Sequence, residues 1–234
     1  MGPPPRGNGS MATFVLVHGA WHGGWCWKRV RKLLQGQGHE VFTPTLTGLA
    51  DRSHLLSRDV NLETHILDVV NLILWEELTD VVLCGHSYGG AIISGVADRI
   101  PERIRSLVYL DAFVLENGEN LMRIELKVED GWKIPPVSAE AFNVNAADRE
   151  WVDRQCTILP LECWRQPITL TKRIEQIKKV TYILAEGWAG TDSPFIQDYQ
   201  KARAKGWKTL TMPCGHDVML DMPEELTQVL LEAL

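Results

Sequence analysis

The sequence lacks several features that would point to other classes of protein. None of its apolar runs reaches the length that a membrane-spanning helix needs. Acidic residues outnumber basic ones, 30 against 24, and the net charge of -6 argues against nucleic acid as a partner. We therefore expect neither nucleic acid nor a membrane among the partners of this protein.

Cysteines are few, and their number is odd. The 5 cysteines are irregularly spaced, which favours reduced thiols and a cytoplasmic protein over a disulfide framework. Cys214 lies close to His216 in the sequence, but nothing around them suggests metal ligation. We expect no metal and no cofactor.

The chain divides into a short tail and one domain. Residues 1–10 contain no apolar core, so they are not a signal peptide, and we expect residues 1–11 to be a disordered tail or a cloning remnant. Residues 12–234 have the length of a single domain with a full core, and the 45% hydrophobic content is ordinary for a globular protein. The sequence is compatible with a homodimer but does not specify an oligomeric state.

The segment from Asp80 to Ile93 carries the strongest functional signal. A β-branched run leads into Gly85-His86-Ser87-Tyr88-Gly89, a Gly-x-Ser-x-Gly motif, and an apolar helical pattern follows. Because the two glycines lack a Cβ, the strand and the helix can approach closely around a tight turn. Such a turn exposes the Ser87 Oγ beside a helix N-terminus, where free N–H groups favour negative charge. We predict that Ser87 is the nucleophile of an α/β-hydrolase, not merely a helix cap.

A glycine-rich loop follows the first predicted strand and reads His-Gly-Ala-Trp-His-Gly-Gly-Trp over residues 18–25. Such a loop can turn a backbone N–H toward the nucleophile and supply half of an oxyanion hole. We assign this donor to Ala20 and the second donor to Tyr88, the residue after the nucleophile. We expect His18 and His86 to orient these loops.

The general base and its carboxylate are predicted from their positions along the chain. His216 follows the last predicted strand, and the order Ser, acid, His fits this fold. The acid must reach the far ring nitrogen of His216 to hold its tautomer. Asp111 ends a buried strand and is our first choice. Asp192, in the loop after the next strand, is second, and Glu186, the last residue of that strand, is third.

The predicted elements alternate between strand and helix, which predicts a six-stranded, mostly parallel sheet covered by helices on both faces. The predicted strands lie near 13–18, 39–44, 80–85, 106–111, 180–186 and 208–212, and the predicted helices near 25–37, 61–77, 89–99, 196–205 and 222–233. Residues 114–175 interrupt this alternation. Because the stretch carries Trp132, Trp151 and Trp164, we interpret it as a helical cap insertion over a mainly apolar pocket.

These motifs resemble those of the plant methylesterase and hydroxynitrile lyase family and of small bacterial esterases of the same fold. The resemblance extends over residues 12–234, and the Trp-rich loop Val17–Trp27 is its most specific part. It implies an α/β-hydrolase fold, with Ser87 as nucleophile, His216 as base, and the Ala20 and Tyr88 amides as oxyanion donors.

The catalytic acid is where the chain departs from this family. Counted back from the histidine without gaps, the acid position of the plant esterases falls on Trp188, which has no carboxylate. A short insertion would instead bring Asp192 to that position. Asp111 resembles the alternative acid position of dehalogenase-like relatives, at the end of the strand after the nucleophile helix.

Two further departures favour ester hydrolysis over cyanohydrin cleavage. The lyases that resemble this chain carry Thr after the first-loop histidine and Lys after the catalytic histidine, where this chain has Gly19 and Asp217. A cation should stabilise the departing cyanide, and Asp217 would oppose it. The sequence therefore predicts a serine carboxylesterase that hydrolyses small to medium or aromatic esters through an acyl-enzyme. The alternatives are a hydroxynitrile lyase or other C–C cleaving relative, and a small-molecule receptor of the same fold.

Overall fold

The computed structural model describes residues 11–188 and 193–234. Residues 1–10 of the predicted tail and the alternative acid Asp192 lie outside these ranges. In the described part of the chain, no helix is both long enough and apolar enough to cross a membrane.

The fold is an α/β sandwich around one parallel sheet. The strands are β1 (Thr13–Val17), β2 (Glu40–Phe42), β3 (Val81–His86), β4 (Ile104–Leu110), β5 (Lys133–Ile134), β6 (Leu159–Pro160), β7 (Val180–Ala185) and β8 (Lys208–Met212). Six of them form the main sheet in the order β2-β1-β3-β4-β7-β8, and every neighbouring pair is parallel. The predicted fold class is confirmed.

Helices cover both faces of this sheet. They are α1 (Lys28–Gly36), α2 (Leu62–Trp75), α3 (Gly89–Arg99), α4 (Arg149–Gln155), α5 (Leu161–Arg165), α6 (Ile196–Ala204), α7 (Val218–Asp221) and α8 (Pro223–Glu232). Successive strand residues point to opposite faces, so β1 sends Phe14 and Leu16 into the core under α1 and α8. Val15 and Val17 enter the second core, under α2, α3 and α6. Burial on both faces explains why the strands read as continuous apolar runs.

The segment between β4 and β7 has little regular structure. It holds the short helices α4 and α5 and the two-residue strands β5 and β6, which pair antiparallel. Most of its other residues lie in turns and irregular backbone. Because aromatic residues of this segment reach the carboxyl ends of β1 and β3, the segment bears directly on the candidate site.

Candidate active site

Ser87 lies on a sharp turn between β3 and α3. Its φ of 55° is in the left-handed region, a strained conformation for a residue other than glycine. The turn needs glycine on both sides, because a Cβ on Gly85 would lie 2.5 Å from the Gly89 carbonyl oxygen. A Cβ on Gly89 would lie 2.8 Å from the carbonyl oxygen of Val17. The motif therefore forms the tight strand–turn–helix that its spacing predicts, and it presents Ser87 at the carboxyl edge of the sheet.

His216 and Asp111 form a buried pair beside this turn. The Nδ1 atom of His216 lies 2.6 Å from Oδ2 of Asp111, and both side chains are almost fully buried. Asp111 directly follows β4, and His216 lies in the loop between β8 and α7. A carboxylate at this distance makes Nδ1 the protonated nitrogen and leaves Nε2 free to act as a base.

Two further donors hold the Asp111 carboxylate. The Ala185 backbone N–H donates to Oδ1 over 3.1 Å, and Nε1–H of Trp188 donates to Oδ2 over 3.0 Å. Trp188, which falls on the acid position of the plant esterases in the ungapped count above, therefore hydrogen-bonds to Asp111. Glu186 is exposed, and its backbone N–H donates to the Met212 carbonyl. Of the two candidate acids that lie within the described residues, Asp111 is the one whose carboxylate contacts His216.

Aromatic rings enclose the imidazole of His216. The ring of Phe195 stacks on it at 5.2 Å, and the rings of Phe142 and Trp188 lie at 4.9 Å and 4.7 Å. The Nε2–H of His86 donates to the His216 backbone carbonyl over 2.9 Å. These contacts fix the plane of the imidazole and exclude water from its faces, which strengthens its charge-assisted bond to Asp111.

The glycine-rich loop after β1 packs directly against Ser87. A Cβ on Gly19 would lie 3.0 Å from the Ser87 Cβ, so only glycine permits this approach. The Nδ1–H of His18 donates to the Gly19 carbonyl over 2.8 Å, and its Nε2 accepts the Leu46 N–H over 3.1 Å. Burial lowers the pKa of His18 to about 3, so the ring stays neutral and can both donate and accept. This bond orients the peptide that carries the Ala20 N–H.

The two predicted oxyanion donors, the Ala20 and Tyr88 amides, belong to the two segments that meet at Ser87. Tyr88 immediately precedes α3, and its side-chain hydroxyl is anchored by Nδ1 of His65 at 2.9 Å. Among the hydrogen bonds of the described residues, neither the Ala20 nor the Tyr88 backbone N–H has a protein acceptor. Both amides are buried, so they are available to a ligand oxygen beside Ser87.

A second buried histidine–carboxylate pair lies next to these loops. The Nε2 atom of His22 is 2.8 Å from Oδ2 of Asp217, and its Nδ1 is 2.8 Å from the Ala20 carbonyl oxygen. Burial by itself would lower the pKa of His22, but the Asp217 carboxylate outweighs it and raises this pKa well above its ordinary value. The pKa of Asp217 falls below its ordinary value because the charge of His22 and its hydrogen bond outweigh burial. The pair is thus an imidazolium and a carboxylate, and the negative charge of Asp217 is compensated.

The carboxyl edge of the sheet beside Ser87 is lined by apolar aromatic side chains. The Trp164 ring lies 6.3 Å from the rings of Trp21 and Tyr88, and edge-on to Phe113 at 5.5 Å. Phe142 contacts Trp21 at 6.1 Å between ring centroids. Ser87 itself is only 8% exposed. Within residues 11–188 and 193–234, no group of three or more His, Cys, Asp or Glu side chains could hold a metal ion.

Comparison with known proteins identifies the family. The sequence profile of the alpha/beta hydrolase family matches residues 14–229. The chain belongs to the alpha/beta hydrolase family. It is 47% identical over 240 residues to the carbendazim hydrolyzing esterase of a Nocardioides species, an alignment that covers 94% of this chain and 98% of that protein.

More distant relatives are plant proteins. Salicylic acid-binding protein 2 of Nicotiana tabacum is 27% identical over 202 residues, which are 81% of this chain and 71% of that protein. The crystal structure of an Arabidopsis methylesterase superposes with a TM-score of 0.79 at 20% identity, over 95% of this chain and 98% of that one. This structural similarity supports the fold of the chain and not its activity. Together these likenesses confirm the predicted family and class, a serine esterase with the alpha/beta hydrolase fold.

The sequence reasoning missed two contacts of the site. The partners His22 and Asp217 are 195 positions apart, and no spacing rule connects them. The bond from Trp188 to Asp111 depends on the path of the loop after β7, which the sequence does not specify. The sequence did contain one signal for the pair of His22 and Asp217, since each of them lies within six positions of a predicted site residue.

Proposed function

We propose that this protein hydrolyses small to medium-sized or aromatic carboxylic esters through an acyl-enzyme on Ser87. The observation that carries the proposal is the 2.6 Å contact between His216 Nδ1 and Asp111 Oδ2, beside a serine on a strained turn. In this mechanism Nε2 of His216 takes the proton of the Ser87 hydroxyl as its Oγ attacks the ester carbonyl. Asp111 holds the tautomer and stabilises the imidazolium that forms.

The Ala20 and Tyr88 amides then bind the oxyanion of the tetrahedral intermediate. When the intermediate collapses, the imidazolium gives its proton to the leaving alcohol, and the acyl group stays on Ser87. Water, deprotonated by His216, attacks the acyl-enzyme and releases the acid in a second cycle of the same kind. The proposed oxyanion donors contribute most of the stabilisation of charge, because they are fixed before the reaction starts.

The substrate class is inferred from the surroundings of Ser87. The aromatic contacts of Trp21, Phe142 and Trp164 favour flat or short apolar acyl groups, and we assign residues 114–175 the role of a cap over them. The name of the Nocardioides relative supports carbendazim, an aromatic methyl carbamate, as one compound to test. A carbamate is attacked at its carbonyl in the same way as an ester.

Assays of the purified protein test this proposal. We expect it to hydrolyse p-nitrophenyl acetate and butyrate and to leave mandelonitrile intact. Ser87→Ala should lower ester turnover ~10⁴-fold or more, because the nucleophile is lost while the fold remains. Ser53→Ala, which changes an exposed serine, is the matched control and should behave as wild type. Cleavage of mandelonitrile without ester turnover would instead support a lyase, and tight binding of salicylate with neither reaction would support a receptor.

Two further expectations concern the cellular location and the oligomeric state of the enzyme. The 5 cysteines are all free thiols in the structure, which supports a cytoplasmic protein, and a thiol titration of the unreduced, denatured chain should count all of them. The homodimer stays a prediction, which sedimentation equilibrium would check.

A further inference from the structure

The buried pair of His22 and Asp217 has no part in the proton transfers proposed above. Its imidazolium lies in the loop after β1, and its carboxylate lies in the loop after β8, next to His216. Three strands, β3, β4 and β7, separate β1 from β8 in the sheet. The pair therefore connects two loops that reach Ser87 from opposite sides.

The contacts of His22 bear on the orientation of the oxyanion loop. Its Nδ1–H donates to the Ala20 carbonyl over 2.8 Å, while His18 donates to the Gly19 carbonyl over the same distance. Two imidazoles thus hold successive carbonyls of the loop, on either side of the Ala20 residue. Trp21 follows with a φ of 65°, a strained conformation that must be held by its surroundings.

The charge on His22 matters for this arrangement. A neutral imidazole has one N–H and could donate to only one partner, whereas the protonated ring donates to both Ala20 and Asp217. The ring also faces Cys156, whose Sγ is 4.0 Å from Nδ1, Trp25, which stacks on it at 5.1 Å, and His86, which lies edge-on at 6.1 Å. Asp217 is the group that keeps both N–H bonds in place.

A gain in folding stability does not by itself explain why this ion pair is buried. Removing two charges from water costs several kcal/mol per ion, so a buried ion pair often adds little net stability compared with apolar side chains. Among the described residues, Oδ1 of Asp217 has no hydrogen-bond partner, and it lies 3.9 Å from Nε2 of His86. What the pair does supply is a fixed geometry between the two loops.

We infer that His22 and Asp217 are positioning residues. They hold the Ala20 amide and the His216 loop in fixed positions around the oxyanion of the reaction. The inference rests on the proposed function. It predicts that breaking the pair weakens the stabilisation of the oxyanion while the ground-state binding of the ester stays the same. The effect should therefore fall on kcat and leave KM nearly unchanged.

The test compares four variants with the wild type: the two single variants of the pair, their double variant and a control. His22→Gln and Asp217→Asn each break the ion pair without adding volume. Asp98→Asn is the matched control, because Asp98 is also a buried carboxylate and accepts from the Thr171 backbone N–H over 2.6 Å, but it lies in the last turn of α3. For each protein we would measure kcat and KM with p-nitrophenyl acetate, the melting temperature, and the rate at which a fluorophosphonate labels Ser87.

The fluorophosphonate separates this inference from the proposed function. Labelling forms a Ser87 Oγ–P bond, expels fluoride and builds negative charge on the phosphonyl oxygen in the same pocket, with no ester involved. We expect His22→Gln and Asp217→Asn to lower both kcat and the labelling rate by about 10- to 100-fold at unchanged KM. The double variant should lose no more than the worse single variant, and Asp98→Asn should keep wild-type rates.

Three outcomes would overturn the positioning role. They are wild-type labelling rates in both pair variants, losses that add fully in the double variant, and a fall in melting temperature with normal rates for each folded molecule. A wild type that is labelled but hydrolyses no ester would refute the proposed function, and the labelling rates of the variants would still decide the positioning role.

Discussion

At the scale of single residues, Asp111 is the member of the proposed triad that the family pattern predicts least well. Asp111→Asn should keep the fold but leave His216 in the wrong tautomer, with a fall in kcat of about 10²- to 10⁴-fold. The matched control is Glu186→Gln, an exposed carboxylate at the end of the neighbouring strand, which should retain wild-type turnover. Assays of both variants with one ester check this, and a crippled Glu186→Gln with a normal Asp111→Asn would contradict it.

The site residues that could be predicted are those whose position in the fold follows from neighbouring residues in the sequence. Ser87 is fixed by the glycines at positions 85 and 89, and His216 by its place after the last strand. Asp111 could be proposed because it ends a strand beside the nucleophile strand, at the edge where parallel sheets place their chemistry. The contacts from Trp188 and the pairing of His22 with Asp217 could not, because each depends on how distant loops meet.

At the scale of elements, the turn between β3 and α3 depends on close contact between backbones. Gly85→Ala should destabilise the protein by about 3 kcal/mol or more, because the new Cβ would lie 2.5 Å from the Gly89 carbonyl oxygen, which is backbone and has little room to move. Gly36→Ala, in the last turn of α1, meets nothing within 4 Å and should stabilise the protein by about 0.5–1 kcal/mol. Urea denaturation of the two variants beside wild type measures both, and equal stabilities would be inconsistent with this account of the turn.

The elements themselves were predictable to the extent that their periodicity is strong. The six strands of the main sheet and the helices α2, α3, α6 and α8 fall within a few residues of the predicted ranges. The start of α1 differs, because a 3-10 helix from Gly24 to Trp27 precedes it. Between β4 and β7 the sequence has no sustained period, and there the short elements are held by tertiary contacts that no local pattern specifies.

At the scale of the whole molecule, buried neutral histidines should make stability depend on pH. Burial lowers the pKa of His18 to about 3 and of His65 to about 4, below the value of 6.5 expected in the unfolded chain. Because the unfolded chain binds more protons, the stability contributed by these residues is complete above pH 6.5. It falls as the pH drops from 6.5 toward 4 for His65 and toward 3 for His18, by about 1.4 kcal/mol per pH unit for each proton, and the loss is complete below those values.

Urea unfolding between pH 7 and pH 4 checks this slope. His65→Gln should reduce the slope of the unfolding free energy against pH by the contribution of about one proton. His54→Gln, a change at an exposed histidine, should leave this slope unchanged. His22 has the opposite sign, since its raised pKa means that its contribution is lost only as the pH rises. A slope that is the same in wild type and His65→Gln would show that His65 is not held neutral by burial.

Substrate choice also belongs to the whole molecule, because the walls around Ser87 come from several elements. Phe142 lies against both Trp21 and His216, so we expect its ring to narrow the space beside Ser87. We expect turnover of p-nitrophenyl esters to be highest for short to medium acyl chains or small aromatic acyl groups, and to fall for long chains without activation at an oil–water interface. Phe142→Ala should move the maximum toward longer chains, since it removes one wall of the site.

The matched control for this shift lies in the same segment between β4 and β7. The Trp132 ring lies near the cationic groups of Arg58 and Lys133, at 5.7 Å and 5.3 Å, and not among the rings beside Ser87. Trp132→Ala should therefore keep the wild-type chain-length profile, even if it lowers stability. A rate series over acyl lengths in the three proteins measures the effect. A wild-type maximum at long chains, or an equal shift in both variants, would mean that the aromatic wall does not set the choice of substrate.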